Sequence, residues 1–348
     1  MRRGRLVGLV GCTALAAGAL VSSALSAAPA AAARTSVERT AAASAPGTIY
    51  VANAGAYTGN GATGGTGNGS ITAYRPGASG NARPVLVITA GVDGPNSIAF
   101  DRYGDLWVAN NTSNTVTEYS KAELAKASPV PTVTISLAGP DGNAFSPSGE
   151  LWVGSNNEVV EFTEAQLAKS GSPHPAVTLA ANSCSIAFDP SGDLWEGSTG
   201  DEVYEWTEAQ LTKSGSPAPR VTINSTSLKE PCRPTFDSAG DMWAANYNGN
   251  YGDTVVEFTK AQLAKSGSPR ARVTITPKPS SSEPDGLADP GDVAFDRTGD
   301  LWVPNAGAGA VVELTQAQLA KSGSPVPARI ITGPATKLNW PWSLAIEP

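Results

Sequence analysis

Short runs of alternating apolar and polar residues recur along this chain, and the same run returns five times. SIAFDRYGDLWVAN (97–110) reappears as NAFSPSGELWVGS (143–155), SIAFDPSGDLWEGS (185–198), PTFDSAGDMWAAN (234–246) and DVAFDRTGDLWVPN (292–305). A second phrase follows each, such as TVTEYSKAELAKASPVPTVTIS (115–136) or TVVEFTKAQLAKSGSPRARVTIT (254–276). The glycine of the first phrase falls at 104, 149, 192, 240 and 299, a period of 43 to 59 residues. Within the first copy, 97–100, 106–110, 115–119 and 132–136 read as strands, because they alternate or are β-branched. The Gly-Asp pair predicts a tight turn between the first two. Four antiparallel strands in a repeat of this length make a propeller blade.

A short helix is predicted between the third and fourth strands. Ser120 with Glu123 forms a capping box, repeated by Thr163/Gln166, Thr207/Gln210, Thr259/Gln262 and Thr315/Gln318. Lysine near its end and glycine at 171, 215, 267 and 323 read as C-terminal capping signals. The chain ends are two halves of one further repeat. SLAIEP (343–348) is a first strand without a second, and GTIYVAN (47–53) is a second without a first. Joined, they close the ring and leave no open edge between terminal blades. The expected fold is all-β, a six-bladed β-propeller with four-stranded blades.

The P-x-x-(I/V)-A-F-D…G-D-L-W-V-A-N…T-V phrase resembles the NHL-type repeat. It is similar to the propellers of the gluconolactonase-like and streptogramin-lyase-like families, over nearly all of 47–348. Streptogramin-lyase-like enzymes use histidine near the channel. The single histidine here, His174, stands in Gly-Ser-Pro-His-Pro on the scaffold side, which speaks against that activity and against Ser-His-Asp chemistry. Gluconolactonase-like enzymes hold a divalent cation at the channel mouth with Glu, Asn and Asp. The resemblance implies Asn96, Asp141 and Asp292 as comparable oxygen ligands, suited to Ca²⁺ or Mg²⁺, without the family's matching Glu.

A residue present in every blade is scaffold, whereas a single ligand site must break the symmetry. Trp107, Trp152, Trp195, Trp243 and Trp302 share one register and are expected to pack between blades. Glu118, Glu161, Glu205, Glu257 and Glu313 recur in the third strand and read as a solvated strand face. Antiparallel order puts the constant Gly-Asp turns and helices on one face and the variable segments 54–70, 224–231, 247–253 and 277–290 on the other. The first strands begin at that variable face, around the channel mouth. There the repeat fails: the successive residues are Asn96, Asp141, Cys184, Cys232, Gly291 and Trp342, followed by Ser97, Gly142, Ser185, Arg233, Asp292 and Ser343. Asn96, Asp141, Arg233, Asp292, Trp340 and Trp342 are the candidate binding residues. Asp141 and Asp292 would be anionic ligands or an acid/base pair, Arg233 a clamp for an acidic group, and the tryptophans a stacking wall. Cys184 and Cys232 hold equivalent positions in adjacent blades and are expected to form a disulfide. The glycine-rich stretch 59–70 lacks the Lys-Ser/Thr of a phosphate loop and reads as a hairpin tip.

Arg2, Arg3 and Arg5 precede an apolar run ending in Ala31, Ala32 and Ala33, the layout of a secretory signal. The expected organisation is a signal peptide at 1–33, a flexible leader at 34–46 and the propeller at 47–348. Leu9-Val10-Gly11-Cys12 offers an alternative lipoprotein processing box, preceded by a short apolar run. Cleavage removes three arginines and no acid, taking the net charge from −7 to −10. Such a chain has no general attraction for nucleic acid or anionic lipid, and no other segment reads as a membrane anchor. The expected product is a secreted monomer. It binds a small molecule, a glycan or a protein through its variable face and requires no cofactor. The alternative is a divalent-metal-dependent, lactonase-like hydrolase or a lyase at the channel mouth. N-terminal sequencing of exported protein should find a start close to Arg34; an intact Met1 or a lipidated Cys12 would refute the signal assignment.

Overall fold

The computed structural model describes residues 45–55, 69–181, 183–247, 253–276 and 286–348, apart from the side chains of Ser183, Cys184 and Cys232. These residues form six four-stranded antiparallel sheets in a ring, a six-bladed β-propeller. The first blade is composite. Its innermost strand Pro341–Ile346 pairs with Ile49–Asn53 in the register Ile49↔Ile346 and Val51↔Leu344. The ring therefore closes by antiparallel pairing of the chain ends, as the split repeat predicts. In the second blade the strands are Pro95–Phe100, Leu106–Asn110, Thr115–Tyr119 and Val133–Ser136.

Aromatic pairs hold neighbouring blades together. Trp107 meets Phe145, Trp152 meets Phe188 and Trp243 meets Phe295 edge-on, with ring centroids 6.0–6.1 Å apart. Trp195 and Phe236 are 5.8 Å apart, and Tyr50 with Phe100 does the same work for the first blade. Four of the repeated tryptophans are also fixed from below. The Nε1 of Trp107, Trp195, Trp243 and Trp302 donates to the aspartate that ends the first strand, at 3.1–3.3 Å. The other oxygen of that aspartate closes the Gly-Asp turn: Asp101 Oδ1 accepts from Tyr103 N and Asp105 N at 2.8 and 3.0 Å. Gly104, at φ +82°, supplies the left-handed residue this turn needs.

Two expectations are corrected. Four of the five recurring third-strand glutamates are buried rather than on a solvated face, and Glu161 alone is partly exposed. Glu205 and Glu257 are fully buried and Glu313 nearly so. Each lies opposite a blade-packing tryptophan, and Arg220, Arg272 or Arg329 lies over it as an ion-pair partner. Period-two alternation does not reveal that both faces of a blade are covered by neighbours. The glycines at 171, 215, 267 and 323 are not helix caps. The helices are single turns, such as Lys121–Leu124 and Glu164–Leu167, and one is a 3₁₀ turn, Glu208–Thr212. The glycines lie beyond them and pair with the outermost strand of the preceding blade. The capping boxes form at Thr163, Thr207, Thr259 and Thr315.

One core position breaks the repeat without compensation. Val51, Val108, Val153, Ala244 and Val303 occupy the centre of the second strand in five blades; the fourth blade has Glu196, which is 0 % exposed. Ile186 lies opposite it in the sheet, and Ile186 and Leu194 pack with Trp152 and Val159 of the third blade. Neither carboxyl oxygen has a hydrogen-bond partner, and burial pushes the pKa up to about 8. A carboxyl raised from 4.5 binds its proton more tightly in the folded state. Its contribution is therefore fully present below about pH 4.5 and is lost as pH rises through about 8. Glu196→Val should raise stability by on the order of 4 kcal/mol more at pH 8 than at pH 4.5. Denaturant melts at the two pH values check this; an equal effect at both would show that Glu196 does not titrate in this range.

Candidate site at the channel rim

The innermost strands share an irregularity that builds the rim. In the second blade Pro95 pairs with Asn110 and Ser97 with Ala109, so Asn96 is an extra residue with no cross-strand partner. The same insertion falls between Pro140 and Asn143, between Ser183 and Ser185, between Cys232 and Thr235, and at Trp342. A bulge of this kind turns the extra residue out of the ladder and re-aims its side chain. The sequence-assigned rim positions Asn96, Asp141, Cys184 and Trp342 are therefore bulge positions. Buried asparagines fix the connections that lead into them. Asn110 Oδ1 accepts from Asp93 N, and Asn246 Oδ1 from Lys229 N, each at 3.0 Å; Asn53 Oδ1 does so from Asn339 N, also at 3.0 Å.

Arg233 dominates the geometry. Its backbone adopts φ +45°, a costly left-handed conformation for a side chain of this size. From the fifth blade its guanidinium crosses the channel to the second, where it donates to Ser97 Oγ and to the carbonyl oxygen of Asn96. Its Nε lies 3.9 Å from Asp292 Oδ2 of the sixth blade. That carboxylate is itself held: Oδ2 accepts from Ser343 Oγ at 2.8 Å and Leu344 N at 3.1 Å, and Oδ1 from Val293 N at 2.8 Å. Asp292 is 7 % exposed, and burial raises its pKa against the opposing pull of Arg233 and these donors.

Serines lace adjacent blades around the same ring. Ser343 Oγ accepts from Ile98 N at 3.3 Å, Ser97 Oγ from Asn143 N at 3.1 Å, and Ser185 Oγ from Arg233 N at 2.7 Å. Sequence reasoning lined up these serines but did not select them. Their signal was recurrence at the second rim position in three blades, with Gly142, Arg233 and Asp292 in the other three.

Asn96 and Asp141 form a second unit, with Asn96 Nδ2 donating to Asp141 Oδ1 at 3.0 Å. Asp141 is partly exposed by surface, but protein crowds its carboxyl. Burial pushes the pKa up to about 6, opposed by Arg233 and the Asn96 hydrogen bond. Trp342 is 9 % exposed and meets Tyr247 edge-on at 4.9 Å. Trp340, at φ +55°, remains partly exposed, and its carbonyl accepts from Ala54 N at 3.1 Å. The side chains of Cys184 and Cys232 lie outside the described residues, and so does most of the glycine-rich stretch 59–70. Most of the variable segments at 54–70, 247–253 and 277–290 lie outside them too.

Below Arg233 a cavity of about 520 Å³ follows the channel. It is lined by Ile98, Phe100, Ile186, Phe236 and Phe295 and reaches Asp101 and Arg102 at the ends of the inner strands. The channel is thus closed by Arg233 under the variable-face rim and opens towards the Gly-Asp turns. His174 is exposed on the outer circumference, where its carbonyl accepts from Gln166 Nε2 at 2.6 Å. Three carboxylate clusters occur among the described residues: Asp189/Asp193/Glu205, Asp237/Asp241/Glu257 and Asp296/Asp300/Glu313. They repeat blade by blade; the aspartates serve the turn and the tryptophan indole, and one oxygen of each glutamate takes an arginine while Glu205 Oε2 and Glu257 Oε2 have no hydrogen-bond partner, a recurrence that marks them as scaffold.

No family model matches the chain, and no curated protein matches it. Solved structures do resemble it in fold. A chain from a nidogen/laminin complex superposes with a TM-score of 0.58 at 14 % identity, covering 87 % of this chain and 99 % of that one. A protein of unknown function from Bacteroides caccae gives 0.54 at 13 % identity, covering 86 % and 98 %. A streptogramin B lyase gives 0.47 at 12 % identity, covering 78 % and 85 %. At these identities the likeness is one of fold alone.

The geometry separates the two rim aspartates. Asp292→Ala should strand the buried Arg233 charge and cost about 3 kcal/mol. Asp141→Asn should not destabilise the fold at pH 7, because burial already disfavours the charge that it removes. Thermal melts decide the matter, and equal losses for the two variants would contradict the Arg233–Asp292 assignment.

Proposed function

We propose that this chain is an exported binding module that takes a polar ligand, of the size and amphipathic character of a sugar, on the variable face. The observation that carries this reading is the commitment of Arg233. Its guanidinium bridges Ser97, Asn96 and Asp292 across the channel, so it seals the rim rather than waiting for a substrate. Asp292 already accepts three hydrogen bonds and faces the guanidinium, a setting that ties it to the plug rather than to general-base work. What stays reachable above the plug is Asp141, hydrogen-bonded to Asn96, and the partly exposed Trp340. A carboxyl hydrogen-bond acceptor and an aromatic face on the same side of the ring suit a hydroxyl-rich ligand. Trp342 supports the wall from within by its contact with Tyr247.

The competing reading is metal-dependent hydrolysis with Asn96, Asp141 and Asp292 holding Ca²⁺ or Mg²⁺. It draws support from the direct contact between Asn96 and Asp141. It asks the cation to share Asp292 with the guanidinium of Arg233, and two positive charges on one buried carboxylate repel.

Tryptophan fluorescence of the mature protein, titrated with neutral and acidic oligosaccharides, tests the proposal. Saturable quenching should vanish in Trp340→Ala and weaken in Asp141→Ala, with melting temperatures unchanged. Stoichiometric Ca²⁺ retention, together with lactone turnover lost in Asp141→Ala, would overturn it in favour of the hydrolase.

A further inference from the structure

The outer circumference of the ring carries a regular device between blades, with one gap. The Ser-Gly that follows four of the five short helices lies along the outermost strand of the preceding blade. Gly171 N donates to Thr134 O at 3.0 Å, Gly171 O accepts from Ser136 N at 2.9 Å, and Ser170 Oγ accepts from Thr134 N at 3.0 Å. The same three bonds join Ser214-Gly215 to Thr178 and Ala180, Ser266-Gly267 to Thr222 and Asn224, and Ser322-Gly323 to Thr274 and Thr276. Gly80 pairs likewise with Ile330 and Thr332. Five outer edges are thereby capped.

The sixth is the strand Leu86–Ile88 of the first blade. The loop that should cap it belongs to the second blade. It reads Lys126-Ala127-Ser128-Pro129, one residue shorter than Lys-Ser-Gly-Ser-Pro and without the glycine. Among the described residues, no hydrogen bond reaches the outward N–H and C=O of Val87 or the N–H of Thr89. The neighbouring contact survives: Tyr119 Oη donates to Ala90 O at 2.5 Å, and Pro131 stands against Gly91. Only the strand edge is bare. Val85, which leads into it, is 39 % exposed, and Val130 of the shortened loop is 51 % exposed.

Unpaired edge groups beside exposed apolar side chains are a template for strand addition. What fits is written in the same molecule, five times as Ser-Gly and in four of these as Ser-Gly-Ser-Pro. The glycine pairs through both its N–H and its C=O, in four copies a serine hydroxyl beside it takes the strand N–H, and proline then ends the pairing. We propose that residues 85–89 form a docking site for an extended peptide of the Ser-Gly-Ser-Pro type, supplied by a partner protein and continuous with the belt that caps the other five blades. This site is on the outer circumference and is independent of the rim reading above.

A fluorescein-labelled Ala-Lys-Ser-Gly-Ser-Pro-Val-Pro peptide, the chain's own 320–327, is the probe, read by polarisation on the mature protein. Saturable binding is expected. It should weaken at least about tenfold when the peptide glycine is replaced by proline, which removes the paired N–H. Two protein variants should weaken it equally. Val87→Pro deletes the outward N–H, and Ala127→Ser with a glycine inserted after it rebuilds the missing cap from within. The rebuilt loop should also raise the melting temperature, so its loss of binding cannot be unfolding. Trp340→Ala should leave peptide binding intact, which separates this site from the rim. No binding at millimolar peptide, or undiminished binding to the rebuilt-loop protein, overturns the proposal. So does a concentration-dependent dimer that the rebuilt loop dissociates, because that outcome gives the edge to a second copy.

Discussion

A blade of this protein cannot bury its own apolar residues, and everything else follows from that. Each sheet is apolar on both faces, so every blade must be covered by the one before and the one after. The tryptophan of one blade against the phenylalanine of the next is the repeated unit of that cover. Such a chain of dependencies has no free end only if it closes. Pairing of Pro341–Ile346 with Ile49–Asn53 closes it, and Tyr50 on Phe100 continues the aromatic series through the composite blade. Because the terminal strands belong to one sheet, the ring and that sheet stand or fall together.

Closure also determines where chemistry can be placed. Six first strands converge on the axis, and five of them carry one inserted residue at the variable face. The bulge is structural, but the residue it exposes is free to vary, because no ladder partner constrains it. These residues stand around the mouth of one channel. One long side chain, Arg233, can therefore touch an opposite blade. The costly backbone conformation of Arg233 is held by Ser185 at one end and by Ser97, Asn96 and Asp292 at the other.

Most of the architecture was legible because its signals are local and repeated. Blade count, strand order, capping boxes and ring closure all lie in short phrases that recur. The failures share a cause: they depend on what lies across a gap between blades. Glu205 and its equivalents look like an exposed strand face until Arg220 and the adjacent blade are placed over them. Gly171 looks like a helix cap because it follows a helix; its partner, Thr134, is in another blade. Asn96, Asp141, Arg233 and Asp292 were identifiable as departures from the repeat. That Arg233 would reach across the channel was not, since neither spacing nor residue type encodes a contact between opposite blades.

Departures from the repeat fall into two kinds, and the distinction carries functional weight. Some are compensated. Arg233 breaks the pattern, and so does Asp292, but each answers the other, and their neighbours Ser97 and Ser343 complete the network. Others are uncompensated: Glu196 without a partner in a blade core, and the first-blade edge without its Ser-Gly cap. In each case a sibling blade shows the repair, valine for glutamate or one inserted glycine, and a repeat protein contains that repair in several copies. Selection for the fold alone would favour it. Of the uncompensated positions, the open edge is the one that a partner can reach from solvent.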